Sequence, residues 1–391
     1  MMAPLSHNGT RMPIAAPAIR RVLVIGGGIA GMTAATCLRR QGLEVDLVEI
    51  DPAWKVYGAG ITITSPTLRA LHRLGVLDEV KRRGATWDDG VLLTPDGREL
   101  GAVRWPSFAA GEPSSGGIMR SELHGILSRM TREAGVHVRL GVTTDAMEDG
   151  AEGVDVRFTD GSVGHYQLVV AADGVASAVR GRLFPDVAGP AYTGQAVYRI
   201  VVATPPGVSC GRFIPNGDRM IGCSLVSATH MYCFVLIPMP GDPRVAVADQ
   251  PAHLHRAMEG FGDFVPGVRA QVLNSPVRET INYRPLAAMI LPKPWYRGHV
   301  VLVGDAAHAT TPHLASGAGM AIESGLVLAE EVARGGTVGE ILQRYTDRRY
   351  DRCRTVVENS VRLGQMELRG ESPLEHNRVA DATIAELVSE P

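Results

Sequence analysis

Two hydrophobic rhythms run along this chain. Val22 to Ile25 form an unbroken aliphatic run, the mark of a strand buried on both faces, and a helical stretch and a second apolar run (Val45, Leu47, Val48) follow. A β-rich interval from Val91 to Val103 turns at Pro95-Asp96-Gly97. Ser121–Arg132 reads as helix and His137–Leu140 as a short strand. Val154–Phe158 and His165–Ala171 flank Asp160-Gly161 as a β-meander that ends in VVAADG. Between Pro190 and Leu286 apolar and polar residues alternate in strands broken by Gly and Pro, with one helix at Ala252–Phe261. His299–Thr310 repeats the pattern of a strand entering a Gly-Asp turn, and an amphipathic helical tail runs from Gly319 to about Leu368 with a break at Gly335-Gly336. There is no internal repeat. The order predicts an α/β fold with an inserted β-sheet layer.

The first strand runs straight into Gly26-x-Gly28-Ile29-Ala30-Gly31, and the second ends on Glu49. Gly26 permits the tight turn, Gly28 lets backbone approach a pyrophosphate, and Gly31 lets helix and strand pack closely. The phosphates sit on free N–H groups at the helix N-terminus. Glu49, about 20 residues on, is placed to accept hydrogen bonds from a ribose diol. Strand, turn, helix, strand and acid in this order predict a Rossmann-type dinucleotide site. An acid at Glu49 argues against a 2′-phosphate, leaving NAD or FAD.

Composition narrows the remaining classes. The 391 residues are 45% hydrophobic and 20% charged with net charge −2, as in a globular protein of two domains or more with no bias toward nucleic acid. The five scattered cysteines make no CxxC pair, so neither a metal site nor a redox disulfide is expected, and a reduced cytoplasmic setting is. No apolar run approaches the ~20 residues of a membrane span. Residues 1–18, rich in Pro and Ala, read as a disordered lead-in.

Three further constellations carry chemistry. Asp173-Gly174 through Arg180 follows a strand and opens a helix, so Asp173 can accept from a sugar or ribityl hydroxyl and Arg180 can face a phosphate; an Asp-capped turn is the alternative. Gly304-Asp305 places a carboxylate at a strand's C-terminal end, followed by Pro312 and by Gly317-Ala318-Gly319-Met320, a second glycine-rich helix start whose N–H groups can meet a developing anion. Arg120, at another helix start, can reach a pyrophosphate or stay solvated.

Together these motifs resemble the single-component FAD-dependent aromatic hydroxylases typified by p-hydroxybenzoate hydroxylase, over about Arg21 to Arg354. The resemblance implies a glutathione reductase-like FAD domain built from residues 19–88, 115–186 and 285–335. It also implies a substrate-binding sheet from 89–114 and 187–284, and a helical tail over 336–391. It makes Glu49 the adenosine ribose ligand, places Arg120 at the pyrophosphate and Asp305 at the ribityl chain, adds Asp173 to the flavin site, and sets Gly317–Met320 against the isoalloxazine ring. Val56 stands where many relatives have Arg, with Lys55 the nearest cation, and Ser65-Pro66 replaces the usual Pro-Asn. The thioredoxin-like domain of larger relatives has no counterpart in this sequence.

In that family NADH or NADPH reduces the flavin, O2 adds at C4a, and the hydroperoxide gives electrophilic oxygen to an electron-rich ring. One fingerprint implies that the nicotinamide has no Rossmann site of its own. Tyr198, Tyr232 and Phe234 have the alternation to face a pocket, with core packing the bland alternative. His313, beside the flavin turn, is a candidate for meeting substrate, whereas His308 reads as structural. The expectation is an NAD(P)H- and O2-dependent monooxygenase for a small aromatic or N-heteroaromatic compound, with a homodimer left open. Epoxidation or oxygen insertion on a polyketide or quinone, a flavin-dependent reductase and a silent FAD-binding sensor are the alternatives. A halogenase is disfavoured because its Trp-x-Trp-x-Ile-Pro signature is missing and Trp105-Pro106 does not match.

Overall fold

A computed structural model describes residues 19–56, 58–241, 244–273 and 280–391. The expected disordered lead-in lies outside the described residues, as does Tyr57, which follows Val56. The fold is α/β, as the patterning implies. Arg21–Ile25 lies inside a six-stranded sheet, next to Glu44–Glu49 and then His137–Leu140 on one side. Leu168–Ala171, Val300–Leu302 and Tyr296–Arg297 follow on the other. All run parallel except the edge strand Tyr296–Arg297. The runs RVLVI and LVVA lack polar alternation because covered parallel strands bury both faces. Helix Ile29–Arg40 packs against helices Arg120–Glu133 and Gly317–Arg334, and a Cβ at Gly31 would collide with the Gly26 carbonyl oxygen.

The meander differs from expectation at Gln167. Val163–Tyr166 pairs with Val154–Phe158 and, through it, with Thr144–Asp149, whereas Leu168–Ala171 crosses into the parallel sheet. Gln167 marks the switch, since its side-chain Oε1 accepts the Arg21 backbone N–H at 2.9 Å while the Gln167 backbone N–H donates to the Arg21 carbonyl.

A seven-stranded sheet forms the second layer, in the order Asn282–Ala288, Ala191–Ala203, His230–Pro238, Arg219–Leu225, Arg212–Asn216, Asp89–Leu93, Glu99–Arg104. Asp89–Leu93 joins it in parallel with Arg212–Asn216, so segments distant in sequence share one sheet. Asn282–Ala288 lies wholly within it, across the sequence boundary expected between residues 284 and 285. One face packs on helices Gln250–Ala257 and Val265–Val272. The first of these ends short of the expected Phe261, and the second, with Pro266 in its first turn, has too short a period to stand out. The other face carries Val197, Met220, Leu236 and Leu286. A small sheet of Gly60–Thr64, Ser115–Met119 and Ala85–Trp87 adjoins it.

The tail forms helices Val338–Leu368 and Pro373–Leu387 after the break at Gly335-Gly336. A buried charge cluster fastens it: Glu323 pairs with Arg69, Arg349 and Arg352, while Arg69 and Arg352 donate to the carbonyls of Leu387, Val388 and Ser389.

Candidate active site

The first strand lies between two parallel neighbours, and its C-terminal end is the edge at which open α/β sheets hold ligands. A cavity of about 870 Å³ begins there and continues to the inner face of the seven-stranded sheet. Gly28, Ile29 and Ala30 line it, and a Cβ at Gly28 would meet no atom within 4 Å, so backbone here is open to a close-lying group. Arg120 and Asp305 also line it, and neither charged group has a hydrogen-bond partner among the described residues. Burial, and then Arg199, lower the Arg120 pKa. Asp305 opens on the cavity but is otherwise surrounded by protein, so burial raises its carboxyl while Arg120 pulls it down. A cation, a carboxylate and an open glycine turn without internal partners are the groups that a pyrophosphate and a polyol chain need. Pro312, Gly317 and Ala318 continue the wall, so the second glycine-rich helix start faces the same space.

The other expected cofactor residues act behind this surface. Glu49 accepts the amides of Gly27 at 2.7 Å and Asp51 at 2.8 Å, and the Trp54 indole donates to the Gly27 carbonyl, which fixes the fingerprint turn from two sides. Asp173 accepts the Ser177 hydroxyl at 2.6 Å and the Val179 amide at 3.1 Å, so its carboxylate clamps the turn while Gly174 and Val175 line the cavity. Arg180 is not placed to face a phosphate: its guanidinium donates to the carbonyls of Ala306 and Val175 and ties two loops together. Lys55 is exposed and lies off the cavity, which Val56 lines. Gly26, Gly31, Gly319 and Met320 pack behind the wall, and Gly319 leaves no room for a Cβ beside Thr67. His308 is structural, with Nε2 2.9 Å from the Ser324 hydroxyl and burial pushing its pKa down to about 3.

Tyr198 is not at the site. Its strand pairs with His230–Pro238 so that Tyr198 faces Val235, while Arg199 faces Phe234 and Val201 faces Tyr232. Directly opposed residues share a sheet face, so Tyr198 turns into the core under helix Gln250–Ala257, 2.9 Å from His253 Nδ1. Tyr232 and Phe234, on the other face of the sheet, line the cavity with Val197, Met220 and Leu236. Arg199, which no motif flags, lines it beside them, with Nε 3.2 Å from the Tyr232 hydroxyl. His313 is at the site, with Nδ1 2.9 Å from Thr311 Oγ1 and Nε2 3.3 Å from Glu367 Oε2. Glu367 and His376, from the tail helices, complete that wall, and sequence patterning carries no sign of them. No three His, Cys, Asp or Glu among the described residues are disposed to hold a metal ion. No described helix is long and apolar enough to cross a membrane.

Comparison with known proteins agrees with this geometry. The family described as FAD binding domain matches residues 20–360. The chain is 33% identical to the 2-heptyl-3-hydroxy-4(1H)-quinolone synthase of Pseudomonas aeruginosa over 79% of each chain. It is 31% identical to a 3-amino-4-hydroxybenzoate 2-monooxygenase of Streptomyces platensis, covering 92% of this chain and 90% of the relative. Among solved structures, HpxO of Klebsiella pneumoniae complexed with FAD and uric acid has the same fold, with TM-score 0.83 and 24% identity over 95% of this chain and 97% of the other.

Proposed function

This chain belongs to the FAD-dependent monooxygenases of the aromatic-hydroxylase type, and we propose that it hydroxylates a small aromatic or N-heteroaromatic compound with NADH or NADPH as electron donor. One observation carries the reading: a single cavity joins the unpartnered Arg120–Asp305 cradle to a slot walled by Val197, Met220, Phe234 and Leu236. Bound in the cradle, FAD would supply electron transfer from the nicotinamide and delivery of one atom of O2, the other leaving as water. Arg120 would neutralise its pyrophosphate and Asp305 accept from its polyol chain. The apolar slot suits a flat ring, and polar groups on the neighbouring cavity walls are available to orient it. Arg199 and Arg284 face that slot from the sheet and would hold an anionic or hydrogen-bonding ring substituent. In this reading the parallel-sheet layer holds FAD and the seven-stranded layer holds the substrate. The relatives named for an aminohydroxybenzoate and a quinolone support the substrate class.

A panel of phenols, hydroxypyridines and hydroxyquinolines tests it through stimulated NAD(P)H oxidation with matched O2 uptake. Stimulated oxidation without oxygen consumption would instead identify a reductase.

A further inference from the structure

Four polar side chains from four separate elements cluster at one wall of the cavity, three of them lining it and Gln195 buried behind them. Gln195 comes from strand Ala191–Ala203, His313 from the turn Pro312–Leu314, Glu367 from the end of helix Val338–Leu368, and His376 from helix Pro373–Leu387. The Glu367 carboxylate, only 6% exposed, accepts the Gln195 amide at 2.9 Å and lies 3.3 Å from His313 Nε2 and 3.1 Å from His376 Nε2. Burial alone would raise its pKa, but His313 and then His376 overturn this and hold it at about 2, so Glu367 is an anion. Glu367 Oε1, Gln195 Oε1 and both histidine Nε2 atoms are nevertheless buried without a well-aligned hydrogen bond. Native proteins leave few such atoms, and clustered ones mark a place where a ligand or water completes the network.

The two histidines differ in what they leave free. His313, 1% exposed, has Thr311 at Nδ1 and Glu367 at Nε2. His376 is 15% exposed, lines the cavity, and has Glu367 at Nε2 but no partner among the described residues at Nδ1. The other ionisable groups lining the cavity are Glu371 on the same wall, paired with Arg369, then Arg199, Arg219, Tyr232 and Arg284 on the sheet, and Arg120, His124 and Asp305 elsewhere around it. Arg219 is tied to the Ala257 and Glu259 carbonyls, and an arginine cannot act as a base.

Resting on the hydroxylase reading, we propose that His376, oriented by Glu367, is the general base that accepts the proton of the substrate's ring hydroxyl or ring N–H. That O–H or N–H bond breaks and an N–H bond forms at His376 Nδ1. The electron pair left on the heteroatom enriches the ring carbon that receives oxygen. The imidazolium forms beside an existing carboxylate, so its charge is matched from the start, the logic of a carboxylate-oriented histidine base. The proton returns to the heteroatom or to water when product leaves. His313 and Gln195 are positioning residues that hold the carboxylate.

The test uses FAD-loaded wild type, His376→Gln and Glu367→Gln with an aromatic that drives NAD(P)H oxidation in the wild type. Product per NAD(P)H in His376→Gln is expected to fall at least about tenfold at neutral pH, with the remainder appearing as hydrogen peroxide. It should recover as pH rises through the substrate's own ionisation, where no base is required. Glu367→Gln should show the same pH signature at smaller amplitude, and it carries the test if His376→Gln fails to hold FAD. Wild-type coupling in the variants, or a loss equal at every pH, overturns the assignment while leaving the hydroxylase reading intact. If no aromatic drives oxygen uptake in the wild type, the hydroxylase reading falls first and this assignment with it.

Discussion

Arg120→Ala separates a ligand-binding arginine from a structural one. The guanidinium opens on the cavity with no hydrogen bond to any described residue, and its charged neighbours are Arg199, which repels it, and Asp305, which attracts it. Removing it therefore leaves no protein acceptor unsatisfied and takes a poorly solvated cation out of the apoprotein. The apoprotein should keep its melting temperature or gain slightly. The cost falls on the complex, which loses a charge-assisted contact to the pyrophosphate worth about 1.5–3 kcal/mol. FAD should then bind about 10- to 150-fold more weakly. Because a ligand stabilises only the fold that binds it, the melting temperature in excess FAD should drop although that of the apoprotein does not. Titration of the stripped protein with FAD, followed by flavin fluorescence, and thermal unfolding with and without FAD give both numbers. Unchanged affinity, or an apoprotein destabilised by more than about 1 kcal/mol, would place Arg120 in the fold and the pyrophosphate elsewhere.

Other residues give equally specific outcomes. Tyr198→Phe removes the contact to His253 and should cost about 0.5–1.5 kcal/mol in denaturant unfolding without altering product per NAD(P)H; altered coupling would return Tyr198 to the site. Glu323→Gln leaves the buried Arg69 and Arg349 without their counter-charge and should cost about 3–5 kcal/mol, and a loss below about 1 kcal/mol would mean that the cluster does not fasten the tail. Glu367 has a folded-state pKa of about 2, below its ordinary 4.5, so its stabilisation is present above pH 4.5 and is lost as pH falls toward 2. Wild type should thus lose on the order of 3 kcal/mol more than Glu367→Gln across that window in urea midpoints, and parallel pH slopes would contradict the pairing.

The parts legible in the sequence are those whose function needs a local backbone shape. The run Val22–Ile25 leads directly into the glycine turn, Glu49 ends the neighbouring paired strand and accepts the Gly27 amide, and Gly28 opens on the cavity as the spacing implies. The Gly317-Ala318 turn likewise faces the site. Arg180 and Asp173 were harder to read, because a polar side chain at a helix start serves a phosphate and a loop carbonyl equally well, and here both brace the turn. Tyr198 failed on register: even positions of its strand pair with odd positions of His230–Pro238, so a shared parity with Tyr232 and Phe234 puts it on the opposite face. Arg199, Glu367 and His376 meet only through the sheet and the docked tail, and no spacing rule connects them.

The most direct measurement follows the oxygen atom. FAD-loaded protein, NAD(P)H and an aromatic that stimulates its oxidation are supplied with dioxygen carrying the heavy isotope in ordinary water, and the product is weighed by mass spectrometry. Hydroxylation at this cavity predicts one heavy oxygen per product molecule, formed in step with NAD(P)H consumed. Product carrying only oxygen from water, or product formed without O2, would contradict it.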